Sequence, residues 1–469
     1  MLFLDDFQKN YIMPALLSSY YKDWLKTYSE LFEYSRKQEH RANNKDLLSL
    51  QVTIADLETK MWEKIREGKE IIKELSKKST LSEQEKKDLE GTQTHLFIHK
   101  ELIRIGHIIL DGVAWRTLNH NRFLLHTMAR GYGTGAINAN SLEYTRSMGW
   151  AFGMSEKLHS TVLVNDLTRF LRVGDLTEIN GDSVIVHELK RQGKEIRNFI
   201  TLRDQPKGWK WSGQTKRLME FQRLAVTNEM ITKEGKVKAN IINVKSKTHT
   251  EKIKNLLQIS EKETAVQKLI EPYLFVSVMN FIQKKSVEVF KEKFLFFNKE
   301  IWSKDSKVLL NSSWDSFHYD ERGNFMRSVS PYSVFSLSNK YCMALMSGEI
   351  LLKTEINIDI LTNLLRQNGW NVIDREIGKS KEDFEKETAH IFDTDRSLYD
   401  LGPDYFLFTV QRGPFRLNIP GAWIMRLSLE FLTFDTLLKT LEYVYEETAK
   451  KQQGGLEFLM YRNEKDLWN

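Results

Sequence analysis

An aspartate, a glutamate thirteen residues later and a lysine two beyond that are the residues of this chain best suited to chemistry: Asp175, Glu188 and Lys190, in LRVGDLTEINGDSVIVHELK over 171–190. Two carboxylates that converge can hold a hard divalent cation between them, and an ammonium beside them can neutralise charge that develops on a phosphate. Together these groups would suit metal-assisted cleavage of a phosphodiester.

Convergence depends on a hairpin. Asn180-Gly181 is a dipeptide favoured in two-residue type I′ turns, where both positions need positive φ. With that turn, Asp175 faces Val186 directly, Leu176 lies across from Ile185, and Glu188 is the diagonal neighbour of Asp175. Side chains alternate along a strand, so Asp175, Val186, Glu188 and Lys190 share one face and Ile185, His187 and Leu189 the other. Diagonal partners stand roughly 7–8 Å apart at Cα, close enough for two carboxylates to share Mg²⁺ or Mn²⁺. The Leu189 carbonyl would supply a third oxygen, and Lys190 would point at the attacking water or the scissile phosphate. Glu156 and Asp166, upstream, are candidates for a further carboxylate. A register slip of one residue would turn Glu188 and Lys190 away from Asp175.

The flanking segment suits a polyanion. Between 190 and 217 stand Lys190, Arg191, Lys194, Arg197, Arg203, Lys207, Lys210, Lys216 and Arg217, against Glu195 and Asp204. Trp209 and Trp211 interleave with that charge and could stack on bases. A surface hairpin with solvated charges, beside a basic loop anchored by its tryptophans, is the bland alternative.

Gly174-Asp175, a glycine-turned hairpin, an apolar run and Glu188-Leu189-Lys190 together resemble the PD-(D/E)XK nuclease superfamily. The helical pattern after them, with Gln214 and Gln222, looks like the helix that closes the site in RecB-like and restriction-type members. The resemblance spans about residues 150–230, and Val173-Gly174 stands where a proline often precedes the aspartate. It implies a restriction-endonuclease-like α/β core, divalent-metal dependence and phosphodiester hydrolysis, with DNA favoured over RNA. It assigns Asp175 and Glu188 as metal ligands, Lys190 as the catalytic lysine and Gln214 as an auxiliary residue. Restriction, phage defence or repair would be the fitting context.

The elements around this hairpin fall into three regions. Residues 1–130 read as helical: Leu50, Ile54, Leu57, Met61, Ile65, Ile72 and Leu75 recur at the helical period. Thr80 and Glu83 form a capping-box pattern that would open a second helix, making a long antiparallel helical hairpin. That hairpin is a packing seam, or a surface for a second copy or a partner subunit. At RGYGTGAINANS the pattern breaks; Gly131, Gly133 and Gly135 lack the Lys-Ser or Lys-Thr of a phosphate loop and read as an inter-domain turn. Region 131–250 alternates strand-like runs with one helix, as a compact α/β unit does. Region 251–469 reads as mostly helical, with a small hairpin at YFLFTVQRGPFRLNI, a helix at FDTLLKTLEYVYEETAKK and a buried helix at IEPYLFVSVMNFI. The expected class is therefore mixed α/β: a nuclease-like core between predominantly helical flanks.

Composition bounds the rest. The chain has 469 residues, 41% hydrophobic and 28% charged, with 69 basic and 63 acidic side chains giving +6. That is enough for two or three domains, and mild enough in charge that nucleic acid would meet a local patch rather than the whole surface. A single cysteine, Cys342, excludes an internal disulfide and reads as a buried small side chain. No apolar window has the length of a membrane span, and the acidic MLFLDDF start does not read as a secretory signal, so a cytoplasmic protein is expected. His187-Glu188 lacks a histidine four residues on, so it is no zinc-protease motif. His120 and His126 read as packing or capping histidines, and Asp315, His318 and Asp320 as turn residues. Two further functions compete with hydrolysis: nucleic-acid binding on an inactive core, and helical assembly through residues 1–130.

Overall fold

The computed structural model describes residues 18–37, 44–120, 125, 128, 142–158, 160–171, 174–180, 183–192, 195–199, 229–232, 235–238, 240–242, 244–282, 301–303, 306, 308–312, 331–374, 406–450 and 459–461. Three helices open the chain: α1 (Ser19–Lys37), α2 (Asn44–Ser76) and α3 (Glu83–Thr117). The apolar repeat expected of α2 buries Leu50, Ile54, Leu57, Met61 and Ile65, while Ile72 and Leu75 are only half-buried. α3 begins two residues later than the Thr80/Glu83 pattern suggested. Its capping box uses Ser82, whose hydroxyl accepts from the Glu85 N–H, while the Glu85 carboxylate accepts from the Ser82 N–H at 2.8 Å. Thr80 instead lies in the connecting turn.

The second half of α3 is buried on every side from Glu101 to Trp115, which makes it the hub of the molecule. Its charged side chains are paired rather than stranded. Arg104 Nε donates to Glu101 at 2.7 Å, His107 lies 3.1 Å from Glu58 of α2, and Arg169 Nε donates to Asp111 at 2.6 Å. Burying either partner of such a pair alone would be costly. His120, just past α3, is buried with its ring centroid 6.4 Å from that of Trp115, a packing histidine as expected; His126 lies outside the described residues.

Next come α4 (Leu142–Leu158) and the strands β1 (Thr161–Val164), β2 (Leu176–Asn180), β3 (Ser183–Gln192) and β4 (Glu195–Phe199), an antiparallel sheet in that order. The outer edge of β1 is closed by a side chain. Gln51 of α2 donates its Nε2 to the Val162 carbonyl at 3.0 Å and accepts the Val164 N–H at 2.8 Å, so the edge cannot recruit another strand there.

The chain continues through β5 (Glu229–Thr232), β6 (Gly235–Lys238), β7 (Asn240–Ile242), α5 (Thr250–Glu263), β8 (Ala265–Glu271), β9 (Leu274–Asn280), β10 (Val308–Ser312), α6 (Asn339–Ser347), β11 (Ile350–Asn357), α7 (Ile358–Gln367) and β12 (Asn371–Asp374). It ends in the hairpin β13 (Phe406–Arg412) and β14 (Phe415–Pro420), α8 (Gly421–Leu429), α9 (Phe434–Lys450) and β15 (Leu459–Tyr461). The β13–β14 hairpin and α9 match the late hairpin and terminal helix expected from the sequence.

The run IEPYLFVSVMNFI does not form a helix. It contains β9, which is buried along its whole length and pairs with β8 and β11 in an antiparallel sheet ordered β10-β11-β9-β8. A strand covered on both faces carries no polar alternation, so its sequence resembles that of a buried helix. Among the described residues, helix outweighs strand, and the fold is mixed α/β.

One apolar cluster runs from Tyr21 to Leu441 and includes residues of all the larger elements. α1 and α3 grip the segment around α6 through polar contacts as well. Tyr21 donates to the Ser347 carbonyl at 3.0 Å, Arg36 to Leu337 at 2.8 Å and Arg116 to Ser333 at 3.1 Å. Cys342 is buried beside these arginines, and burial pushes its thiol up to about 11. No helix among the described residues is long and apolar enough to cross a membrane.

Candidate functional site

The hairpin that should carry the chemistry forms, in a register different from the expected one. Leu176 pairs with His187, Thr177 with Val186, Glu178 with Ile185 and Asn180 with Ser183. Asn180 therefore belongs to the ladder, and residues 181 and 182, which lie outside the described residues, make the connection. Asp175 does not face Val186, and Leu176 does not face Ile185. The shift is by two positions, so the alternation of faces along β3 is unchanged.

Asp175 stands just before the ladder, half-buried, and its N–H donates to the His187 carbonyl at 2.7 Å. This hydrogen bond puts its backbone beside the peptide that joins His187 to Glu188. Gly174 makes the approach possible. It sits at φ +70°, and a Cβ there would come within 2.5 Å of Val186 Cγ1 and 2.7 Å of the His187 carbonyl oxygen. Only a residue without a Cβ fits both the backbone conformation and the space.

The loop that delivers Asp175 is fastened from two directions. Asp111, fully buried on α3, accepts the Arg169 N–H at 2.7 Å through Oδ1 and Arg169 Nε through Oδ2. Asn165, in the short helical turn Asn165–Leu167, bonds to both residues of the Gly174-Asp175 pair. Its N–H donates to the Asp175 carbonyl at 3.0 Å and its Nδ2 to the Gly174 carbonyl at 3.1 Å. Asp166 follows Asn165 and is half-buried, while Glu156 is exposed on α4.

On the strand side, β4 pairs with β3 so that Glu188 faces Phe199, Lys190 faces Arg197 and Arg191 faces Ile196. This ladder sets the backbone positions of Glu188, Leu189, Lys190, Arg191 and Arg197. Lys194, Lys207, Lys210, Gln214, Lys216 and Arg217 lie outside the described residues. Of the residues singled out in the sequence, the hairpin thus brings Asp175 next to the backbone of 187–188 and sets Lys190 opposite Arg197.

A buried polar cluster beneath the site was not visible in the sequence. His187 Nε2 lies 2.9 Å from Glu178 Oε2, and Ser160 donates to Glu178 Oε1 at 2.7 Å. All three side chains are buried. The expected register set Glu178 across from Ser183, with His187 four positions further along that strand, so it did not bring the two together; the observed register does.

Among the described residues no group of three His, Cys, Asp or Glu side chains is gathered closely enough to hold a metal ion. His187 is engaged with Glu178. A cation here would rest on Asp175, Glu188 and the Leu189 carbonyl, an all-oxygen set that suits Mg²⁺ or Mn²⁺ rather than a softer metal. Comparison with known proteins gives no match: no family model, no curated protein and no solved structure.

Proposed function

We propose that this protein is a divalent-metal-dependent nuclease that hydrolyses phosphodiester bonds, with DNA as the substrate, in the cytoplasm. The observation that supports this reading most is the hydrogen bond from the Asp175 N–H to the His187 carbonyl. It brings the backbone of the GD pair to that of the ELK triplet, where the two carboxylates of a metal-dependent hydrolase would have to meet.

In this reading Asp175, Glu188 and the Leu189 carbonyl hold Mg²⁺ or Mn²⁺, which supplies Lewis-acid activation of water and phosphate. Lys190 orients and neutralises the phosphate under attack, and Gln214 assists. Arg191, Lys194, Arg197, Lys207, Lys210, Lys216 and Arg217 track the nucleic-acid backbone. Restriction, phage defence or repair is the proposed setting.

The test incubates the purified protein with plasmid and single-stranded DNA in Mn²⁺ or EDTA. The expected result is Mn²⁺-dependent cleavage that disappears in Asp175→Ala and Lys190→Ala. Salt-sensitive binding with no cleavage under any metal would instead identify a nucleic-acid-binding module on an inactive core.

A further inference from the structure

We propose that Asn165 is a positioning residue for Asp175, fixing the carboxylate for its cation without touching the cation itself; this rests on the nuclease reading. Asn165 is fully buried, and its hydrogen bonds converge on the residues around Asp175. Backbone N–H and side-chain Nδ2 donate to two consecutive carbonyls, those of Asp175 and Gly174. Oδ1 accepts from the Thr177 hydroxyl at 2.7 Å, on the far side of Asp175. Asp175 is thereby clamped before and after by one side chain.

The remaining bonds of Asn165 tie the clamp to the loop. Its carbonyl accepts both the N–H and the hydroxyl of Thr168 at 2.9 Å, and Thr168 Oγ1 in turn accepts the Leu171 N–H at 3.0 Å. The amide orientation is determined by its partners, since a hydroxyl donor meets Oδ1 and a carbonyl acceptor meets Nδ2. Asparagine therefore satisfies a donor and an acceptor that aspartate, leucine or serine could not satisfy together.

Groups that orient a ligating side chain from behind usually alter metal affinity by about 10–100-fold when they are removed. The test is calorimetric titration of Mn²⁺ into the full-length protein without nucleic acid, alongside urea unfolding. Asn165→Asp keeps the volume and loses the Nδ2 donor to Gly174. Thr177→Val keeps the volume and the strand and loses the donor to Oδ1, and Thr177→Ser restores that donor.

The expected result is Mn²⁺ affinity weakened about 10-fold or more in Asn165→Asp and Thr177→Val, with Thr177→Ser close to wild type. Should Asn165→Asp fail to fold, the Thr177 pair still decides. Wild-type Mn²⁺ affinity in folded Thr177→Val, with wild-type protein binding Mn²⁺ and cutting DNA, overturns the role of Asn165 and leaves the nuclease reading standing. A wild-type protein that neither binds Mn²⁺ nor cuts DNA overturns both.

Discussion

His187 Nε2 and Glu178 Oε2 lie 2.9 Å apart inside the sheet, and this pair pins β2 against β3. Glu178 faces Ile185 and His187 faces Leu176, so the two are diagonal neighbours on one face. A slip of one residue would send them to opposite faces and strand a buried carboxylate. Glu188 follows His187 directly, so the pair that fixes the register also fixes where the candidate ligand begins. The expected outcome is that His187→Ala costs about 3 kcal/mol, the scale for removing one partner of a buried bond to a charged group. Urea unfolding measures it, and Glu178→Gln/His187→Ala should cost less than the two single changes added together.

Gly174→Ala should damage stability and activity together. At φ +70° an L side chain is strained by about 1–3 kcal/mol. The new methyl would also press on Val186 and on the His187 carbonyl that anchors Asp175. A lower urea midpoint with loss of Mn²⁺-dependent cleavage is expected; an alanine variant with wild-type values of both would remove the steric account of the GD pair.

Cys342 should be silent to thiol reagents in the native state. It is buried, and desolvation holds the thiol at about 11 even though Arg36 and Arg116 stand near it and favour the thiolate. Iodoacetamide at neutral pH should leave the folded protein unmodified and alkylate it fully in guanidinium chloride. Rapid labelling of the native chain would contradict the packing of α1 and α3 around α6.

Acid should destabilise the protein partly through His99. Burial, then the His95 and Lys64 charges, lower its pKa from 6.5 to about 4, and Tyr20 Oη lies 2.9 Å from its Nε2. Between those two values the unfolded chain binds a proton that the native state does not, so stability falls as pH drops from about 6.5 to about 4. Urea midpoints at pH 7, 5.5 and 4.5 should decline less steeply in His99→Gln than in wild type. Parallel declines would mean that His99 takes up its proton freely in the fold.

Much of this architecture was legible in the residues themselves. The apolar repeat of α2 marked its buried face from Leu50 to Ile65 because an exposed helix back requires a polar remainder. Asn180-Gly181 announced a hairpin, yet turn propensity alone did not set its register. The pairing of Asn180 with Ser183 and the buried Glu178–His187 contact are tertiary outcomes that no two-residue turn rule contains. β9 has the sequence pattern of a buried helix because burial on both faces erases the alternation that identifies a strand. Asn165 carried no motif, since its role comes from bonds to residues nine to twelve positions away that meet only after the loop closes. Gly174 and Asp175, by contrast, stood out together, and the structure supplies a steric reason for the glycine.

In the proposed site Asp175 and Glu188 share a divalent cation, and anomalous diffraction from Mn²⁺-soaked crystals would locate it. A Mn²⁺ peak within coordination distance of both carboxylates, and lost in Asp175→Ala, is the predicted result. A Mn²⁺-soaked crystal with those two side chains turned apart and no peak between them would contradict it.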